Sequence, residues 1–335
     1  MVFPPRLPIG ICDIDVTVRF RLPDWVAGFD PAAPPYEFRG PMRRSYHLIA
    51  NPKAGRGRQS LVADVATQLA AAGANVQFST GSSEAACFDE ARKIVRTQAV
   101  DVVVAAGGDG TIRLAAKAVA GSGVPLGVIP VGTGNVLANE VHLPRDAGGL
   151  AQLLLTGKAR AVNTATANGE LFLLMAGAGF DGRIIAGLDH GLKNRIGKLA
   201  FFPPLLRALA RGADQLGVEI DGRPYKAAWA VVANASRYGG AFVMAPGTSI
   251  TTPGLEVVLL HGALLHHRLA QLMALGLGRL AAHPASGDGA IDRVRGSRVE
   301  ITSAEPVPVQ LDGDTFVETP LSIRDGGPEV LIILP

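Results

Sequence analysis

Between Ser45 and Pro130, short apolar runs alternate with stretches of helical spacing. The runs are Ser45–Ala50, Val76–Thr80, Val100–Ala106 and Pro125–Pro130; the helical patterns lie through about Ala72, from Ser83 to Thr97 and from Thr111 to Ala120. The third run has Val100 and then an unbroken series from Val102 to Ala106, the signature of a strand buried on both faces, as in a parallel sheet. Ser82 or Ser83 stands where a cap is expected for the second helix. The order β-α-β-α-β-α-β with short connections predicts an open parallel sheet, whose ligand edge is formed by the loops after its strands.

From about Ala161 the pattern changes to period two. Alternating runs appear at Ala161–Ala167, Leu171–Ala176, Leu216–Ile220, Trp229–Asn234, Leu255–Leu260, Arg298–Ile301 and Val307–Leu311, with Asn168-Gly169 and Asp221-Gly222 as hairpin turns. Helical patterns interrupt at about 195–211 and 263–281. The expected class is α/β plus β: an N-terminal open parallel-sheet, Rossmann-like domain and a C-terminal mainly antiparallel β domain. Residues 1–44 are proline-rich and aperiodic, which predicts a flexible arm; Met42, just before the first strand, is the expected start of translation. The α/β domain is expected over 45–158 with 326–335 returning to it through Val330–Leu334, and the β-rich domain over 159–325.

Two strand ends carry glycine loops of a particular kind. Gly107-Gly108-Asp109-Gly110-Thr111 follows the third strand, and Gly132-Thr133-Gly134-Asn135 follows the fourth. Glycine lets a backbone come close to a ligand, and the next helix aims free N–H groups and a partial positive charge at that spot, which favours phosphate. A third glycine turn, Asn51 to Gly57, carries Lys53 and Arg56. Neither the GxGxxG nor the GxxxxGK[ST] spacing is present; an acidic residue inside such a loop, here Asp109, is useful mainly where a metal ion or a hydroxyl proton is also present.

Charge and cysteine narrow the partners. The 335 residues carry 32 Lys+Arg against 29 Asp+Glu, a formal net charge of +3, with no basic stripe and no nucleic-acid motif, so nucleic acid is not an expected partner. Cys12 and Cys87 match no metal-ligand spacing, which points to a reducing, cytoplasmic setting. No apolar run reaches the roughly 18 residues of a membrane span, and no secretory-signal order is seen, which leaves a cytoplasmic protein with peripheral membrane contact open to it. The apolar stretch Leu199–Leu209 around Pro203-Pro204 reads as a core helix, with a pocket gate or an interfacial lip as the alternative. His261, His266, His267 and His283 read as surface residues, not a metal site.

Taken in order, the segments IANPKAGRGR (49–58), VVVAAGGDGTI (102–112), GVIPVGTGNVLANE (127–140), MAGAGFDGRI (175–184), VVANASRYGGAFVMAPGTSITTPGLEVVLL (231–260) and QLDGDTF (310–316) resemble the bacterial diacylglycerol kinase/sphingosine kinase catalytic family. This is the lipid branch of the superfamily that includes NAD kinase and phosphofructokinase. The resemblance implies a phosphotransferase moving phosphate from ATP, with Mg²⁺, to a hydroxyl of a diacylglycerol- or sphingoid-like lipid at a membrane surface. It also implies that the C-terminal domain is a mainly antiparallel β-sandwich, with a nucleotide cleft between it and the Rossmann-like domain and the acceptor in an apolar pocket of the β domain; a homodimer is compatible with it. By the same resemblance Asn51, Lys53, Gly107, Gly108, Gly110, Thr111, Gly132, Thr133 and Asn135 hold nucleotide, Thr111 as helix cap, and Asp109 is also the metal residue. Asp312 and Asp109 are the competing bases, Asp314 stands where relatives carry Glu, and Asp181 orients the acceptor or caps a helix. Val136 replaces an Asp that many diacylglycerol kinases carry after GTGN, which leaves the lipid unspecified. The alternatives are an NAD-kinase-like or small-polyol kinase and a non-catalytic nucleotide- or lipid-binding regulator.

Overall fold

The computed structural model describes residues 43–50, 59–79, 81, 83–262, 264–280 and 291–335. The arm before residue 43, Met42, the Asn51–Gly57 turn with Asn51 and Lys53, Ser82 and His283 lie outside the described residues.

The first half runs β1 (Ser45–Ala50), α1 (Gln59–Ala71), β2 (Asn75–Phe78), α2 (Glu84–Arg96), β3 (Val102–Gly107), α3 (Asp109–Val119), β4 (Leu126–Pro130), α4 (Val136–Glu140) and α5 (Ala147–Thr156). The chain continues through β5 (Lys158–Val162), β6 (Ala165–Ala167), β7 (Glu170–Phe172), β8 (Met175–Gly179), α6 (Phe180–Ala186), α7 (His190–Ile196), a 3₁₀ turn at Gly197–Phe201 and α8 (Phe202–Ala210). Next come β9 (Leu216–Ile220), β10 (Arg223–Ala227), β11 (Trp229–Ala233), β12 (Arg237–Tyr238), β13 (Phe242–Val243), β14 (Leu255–Leu260) and α9 (Leu265–Gly276). The last strands are β15 (Ile291–Gly296), β16 (Arg298–Ser303), β17 (Pro308–Leu311), β18 (Asp314–Glu318), β19 (Leu321–Asp325) and β20 (Val330–Leu334).

The first sheet has the order β2-β1-β3-β4-β20-β5. Strands β1 to β4 and β20 are parallel, and β5 closes the edge antiparallel to β20. Every residue of β3 and β4 is buried, which is why these strands read as unbroken apolar runs. Ser83 is the N-cap of α2, accepting from the Ala86 N–H. Two antiparallel six-stranded sheets, β10-β9-β16-β19-β6-β7 and β15-β14-β11-β8-β17-β18, form the sandwich, as the fold class expected. Their facing side chains, among them Phe172, Val218, Val232, Val257, Ile301 and Leu311, make one core. A second core spans the two halves, joining Ile49, Val103 and Ile112 to Leu173, Met175, Val231 and Val258. The sandwich is therefore bound to the parallel sheet through shared apolar packing.

The run read as one strand from Ala161 to Ala167 is two strands in two sheets. Between them Asn163 Nδ2 donates to Asn234 Oδ1 (2.7 Å) and to Asp325 Oδ1 (2.8 Å), while Thr164 Oγ1 donates to the Pro328 carbonyl (2.9 Å). These polar side chains fix the crossing. The Leu199–Leu209 stretch also departs from its expected reading: α8 buries only Pro204 and Ala208 and leaves Phe202 and Leu206 exposed. Composition measures how apolar a helix is, and does not tell whether anything covers it.

Candidate active site between the two sheets

At the end of β3 the Gly107 carbonyl accepts from both the Val131 and Gly132 N–H groups (3.2 Å each), which stitches the loop after β3 to the loop after β4. Gly132 then lies directly on Gly108; a Cβ on Gly132 would run into the Gly108 Cα. Only glycine permits that approach. Gly108 is the extended N-cap of α3 and offers no side chain, so the helix starts at Asp109, two residues before the sequence reading placed it. Thr111 consequently lies inside the first turn, with its side chain against Gly107, and is not the cap.

Asp109 reaches across to the second loop. Its Oδ2 accepts from the Val136 N–H (3.1 Å) and its Oδ1 from the Leu137 N–H (3.2 Å), so it caps α4 from another element. Asn135, the residue before α4, is left-handed and gives no side-chain cap; its Nδ2 donates to the Pro130 carbonyl (3.3 Å). Asn135 Oδ1 is buried with no hydrogen-bond partner among the described residues. Burial pushes the Asp109 carboxyl above the ordinary carboxylate range, opposed by the two amide hydrogen bonds and reinforced by the charge of Asp314.

The sandwich supplies the facing wall. Asp312-Gly313, with φ 51° and 87°, forms the tight turn between β17 and β18, as hairpin chemistry demands. The Asp312 side chain points inward: it is 4% exposed and accepts from the N–H groups of Leu173 (2.9 Å), Leu174 (2.8 Å) and Met175 (3.0 Å). Burial pushes its carboxyl up to about 6, with Arg113 and the three amides opposing. Asp314, two residues on, faces the first glycine loop; a Cβ on Gly110 would strike its carboxylate. Arg113 of α3 donates to Asp314 Oδ2 (3.2 Å) and lies 3.8 Å from Glu170 Oε1, which also pairs with Lys117. These contacts tie the first helix of the site to the sandwich.

Asp181 lies deeper. It is 1% exposed, its Oδ1 accepts from the Gly182 N–H (2.8 Å), and its Oδ2 accepts from Gln310 Nε2 (3.2 Å). Gln310 Oε1 in turn accepts from the Gly313 N–H (2.8 Å), so Asp181 is coupled to the Asp312 turn. It does not cap α6, whose N-cap is Gly179. Burial pushes the Asp181 carboxyl up to about 7, and Tyr238 is raised by burial and by the Asp181 charge. On the far side, Glu140 Oε2 accepts from Ser236 Oγ (2.7 Å) and the Arg237 N–H (3.2 Å), fixing α4 to the β12 segment.

The structure thus brings together Gly107, Gly108, Asp109, Gly110, Thr111, Gly132, Asn135 and Asp314, sets Asp312 immediately behind Asp314, and keeps Asp181 one hydrogen-bonded link further in. Thr133 lies in the second loop, half-buried. Arg113, Glu170 and Gln310 were missed by sequence reading. Arg113 had one signal, its i+4 spacing from Asp109 on the helix; Glu170 and Gln310 had none. Among the described residues no three His, Cys, Asp or Glu side chains gather as a metal site, and His261 instead pairs with Asp292 (2.9 Å).

A family model for the diacylglycerol kinase catalytic domain matches residues 45–167, and one for the YegS C-terminal NAD kinase beta sandwich-like domain matches residues 175–334. The diacylglycerol kinase of Bacillus subtilis is 27% identical over 283 residues, covering 82% of this chain and 90% of that protein. A Pseudomonas aeruginosa protein, described as a candidate YegS-like lipid kinase, is 30% identical over 236 residues, covering 67% of this chain and 74% of the relative. A solved Bacillus anthracis structure, described as a candidate diacylglycerol kinase, superposes with a TM-score of 0.71 at 21% identity over 89% of this chain and 99% of that one, a likeness of fold.

Proposed function

Since the chain belongs to the diacylglycerol kinase catalytic family of lipid kinases, we propose that it transfers the γ-phosphoryl group of ATP to a hydroxyl of a diacylglycerol- or sphingoid-like lipid, working in the cytoplasm at a membrane surface. The observation that carries this reading is the contact of Gly108 with Gly132 at the start of α3, faced across the gap by Asp314 of the sandwich. Phosphoryl transfer asks for positioning and charge stabilisation more than for covalent chemistry. Backbone N–H groups at the α3 start suit phosphate oxygens, and the unpartnered Asn135 Oδ1 suits a ribose hydroxyl or a base amine, both donors. These features fit a nucleotide.

Counting lone pairs favours one of the two candidate bases. A carboxylate offers about four acceptor sites. Asp312 has committed three of them to backbone amides and is almost wholly buried. Asp109 has committed two and stands beside the glycine loops. We therefore assign proton acceptance from the lipid hydroxyl to Asp109 and the holding of the β17–β18 turn to Asp312. That turn aims Asp314, and Arg113 neutralises charge between them. Mg²⁺ is usually bound through one or two carboxylates and the substrate's own phosphates; Asp109 and Asp314 supply that number, and the ion would offset phosphate charge.

A lipid acceptor is favoured over a polyol or NAD by the likeness to relatives named as diacylglycerol and lipid kinases. The test is transfer of label from γ-³²P-ATP into detergent-dispersed total bacterial lipid. Labelled lipid is expected, reduced at least about a hundredfold in Asp109→Asn, the usual worth of a general base. Absence of labelled lipid, or near-normal transfer by Asp109→Asn, overturns the reading.

A further inference from the structure

Ten large apolar side chains are exposed among the described residues, and all of them lie on adjoining elements at one end of the molecule. Ile196, Leu199 (71% exposed), Phe202 and Leu206 come from α7, the 3₁₀ turn and α8. Phe242 comes from the β12–β13 hairpin. Leu265, Leu269, Met273 (66%) and Leu277 follow one another at intervals of four, with Leu264 at the start of the same stripe. That spacing places them on one face of α9 and its first turn beyond; the opposite face buries Gln271, Ala274 and Leu275. Helix α9 packs against α8 and β13, and Arg268 Nη1 ties it down by donating to the Ala208 (3.1 Å) and Arg211 (2.9 Å) carbonyls. An apolar patch of this extent is rare on a monomer unless something covers it.

Charge tells what covers it. Residues 190–211 hold Lys193, Arg195, Lys198, Arg207 and Arg211 and no carboxylate; residues 264–280 add Arg268 and Arg279, again with none. The whole chain is nearly balanced, so these segments are segregated by sign. Asp189, next to the first of them, is occupied as the α7 N-cap, and Asp214 is paired with Arg183. Long basic side chains around exposed Leu, Phe and Met are suited to a bilayer: the apolar groups enter the acyl boundary while the cations meet anionic headgroups.

We propose that the α7–α8 segment and α9, with Phe242, form one docking surface for an anionic lipid bilayer. This deepens the lipid-kinase reading by stating how the enzyme meets its substrate, and rests on that reading only for its purpose. The surface also adjoins the site: a Cβ on Gly240 would lie 3.2 Å from the Gly134 carbonyl and 3.7 Å from Lys198 Nζ. Docking therefore sets the edge of the nucleotide loops close to the membrane plane.

The test uses the full chain without ATP, sedimented with vesicles of phosphatidylcholine alone or with phosphatidylglycerol. Binding is expected to the anionic vesicles and to fall with added salt. Arg195→Gln with Arg279→Gln should weaken it about fivefold per charge. Leu199→Gln with Met273→Gln should weaken it at least about tenfold per side chain, both pairs retaining the wild-type near-UV circular dichroism. Sedimentation velocity is run on the same proteins. Equal binding to neutral vesicles, no binding, or variants that lose self-association while keeping vesicle binding overturns the proposal, the last by showing a second copy on this face. A protein that binds vesicles but labels no dispersed lipid leaves the docking surface standing and removes the kinase reading; the reverse result removes only the surface.

Discussion

Replacing Asp312 by Asn separates holding from proton transfer, because it removes a charge while keeping an amide that tolerates the left-handed conformation at this turn (φ 51°). Two effects oppose each other. Burial raises the native carboxyl to about 6 from 3.8. At about 1.4 kcal/mol per unit, the ionised side chain is disfavoured by about 3 kcal/mol in the folded protein. A carboxyl raised on folding stabilises below its unfolded pKa, and that stability is lost as pH rises through the folded value. Asn escapes this penalty at pH 8. Against it, Asn Oδ1 keeps the Leu174 and Met175 N–H groups, but its amide meets the Leu173 N–H donor to donor. One orphaned buried amide costs about 1–3 kcal/mol. The two nearly cancel at pH 8. At pH 5 the native group is mostly protonated and wild type recovers about 1.4 kcal/mol that Asn does not. Urea unfolding of both proteins at both pH values should therefore show the wild-type advantage growing by about 1–1.5 kcal/mol from pH 8 to pH 5, while Asp312→Asn turns over within about tenfold of wild type at pH 8. An advantage that does not change with pH, or an Asp312→Asn protein of unchanged stability whose turnover falls more than about a hundredfold, refutes the division of labour between Asp312 and Asp109.

Two further outcomes follow from burial and charge. Asp314→Asn removes a like charge that raises Asp109, so the acid limb of the kcat/KM profile should move to lower pH; a limb that stays in place shows that the two carboxylates are not coupled. His47 is 1% exposed, burial holds its pKa below 6.5, and neither ring nitrogen has a hydrogen-bond partner among the described residues. A lowered histidine favours the unfolded, protonated chain, so wild-type stability should fall as pH drops below about 6.5. His47→Leu should flatten that slope and gain about 1 kcal/mol or more at neutral pH, as read by thermal unfolding.

What the sequence displayed was what backbone geometry forces on side-chain choice. Strands β3 and β4 were legible because burial on both faces allows nothing polar, and the Gly108–Gly132 contact left its mark because no other residue fits. Asn168-Gly169 and Asp221-Gly222 were legible as turns for a related reason, their positive φ angles. Asp312 showed itself as a turn residue and as a candidate base, but its three partners are backbone amides at 173–175, and amides carry no sequence signature. The Arg113–Asp314 pair joins positions 201 residues apart and reads locally as an ordinary helix cation and an ordinary strand acid. The apolar faces of α8 and α9 were visible, but not that they meet solvent, since exposure is a property of the neighbours.

The place of β20 between β4 and β5 has a consequence for how the molecule is made. Val330 pairs with Val162, and Ile332 lies beside Leu126, so the first sheet stays split until this late segment leaves the ribosome. The α/β half cannot finish folding ahead of the sandwich, as successive domains usually do during synthesis. A fragment stopping at residue 167 would bare the flanks of β4 and β5 to other chains, and self-association through those open edges is the expected fate of the isolated half.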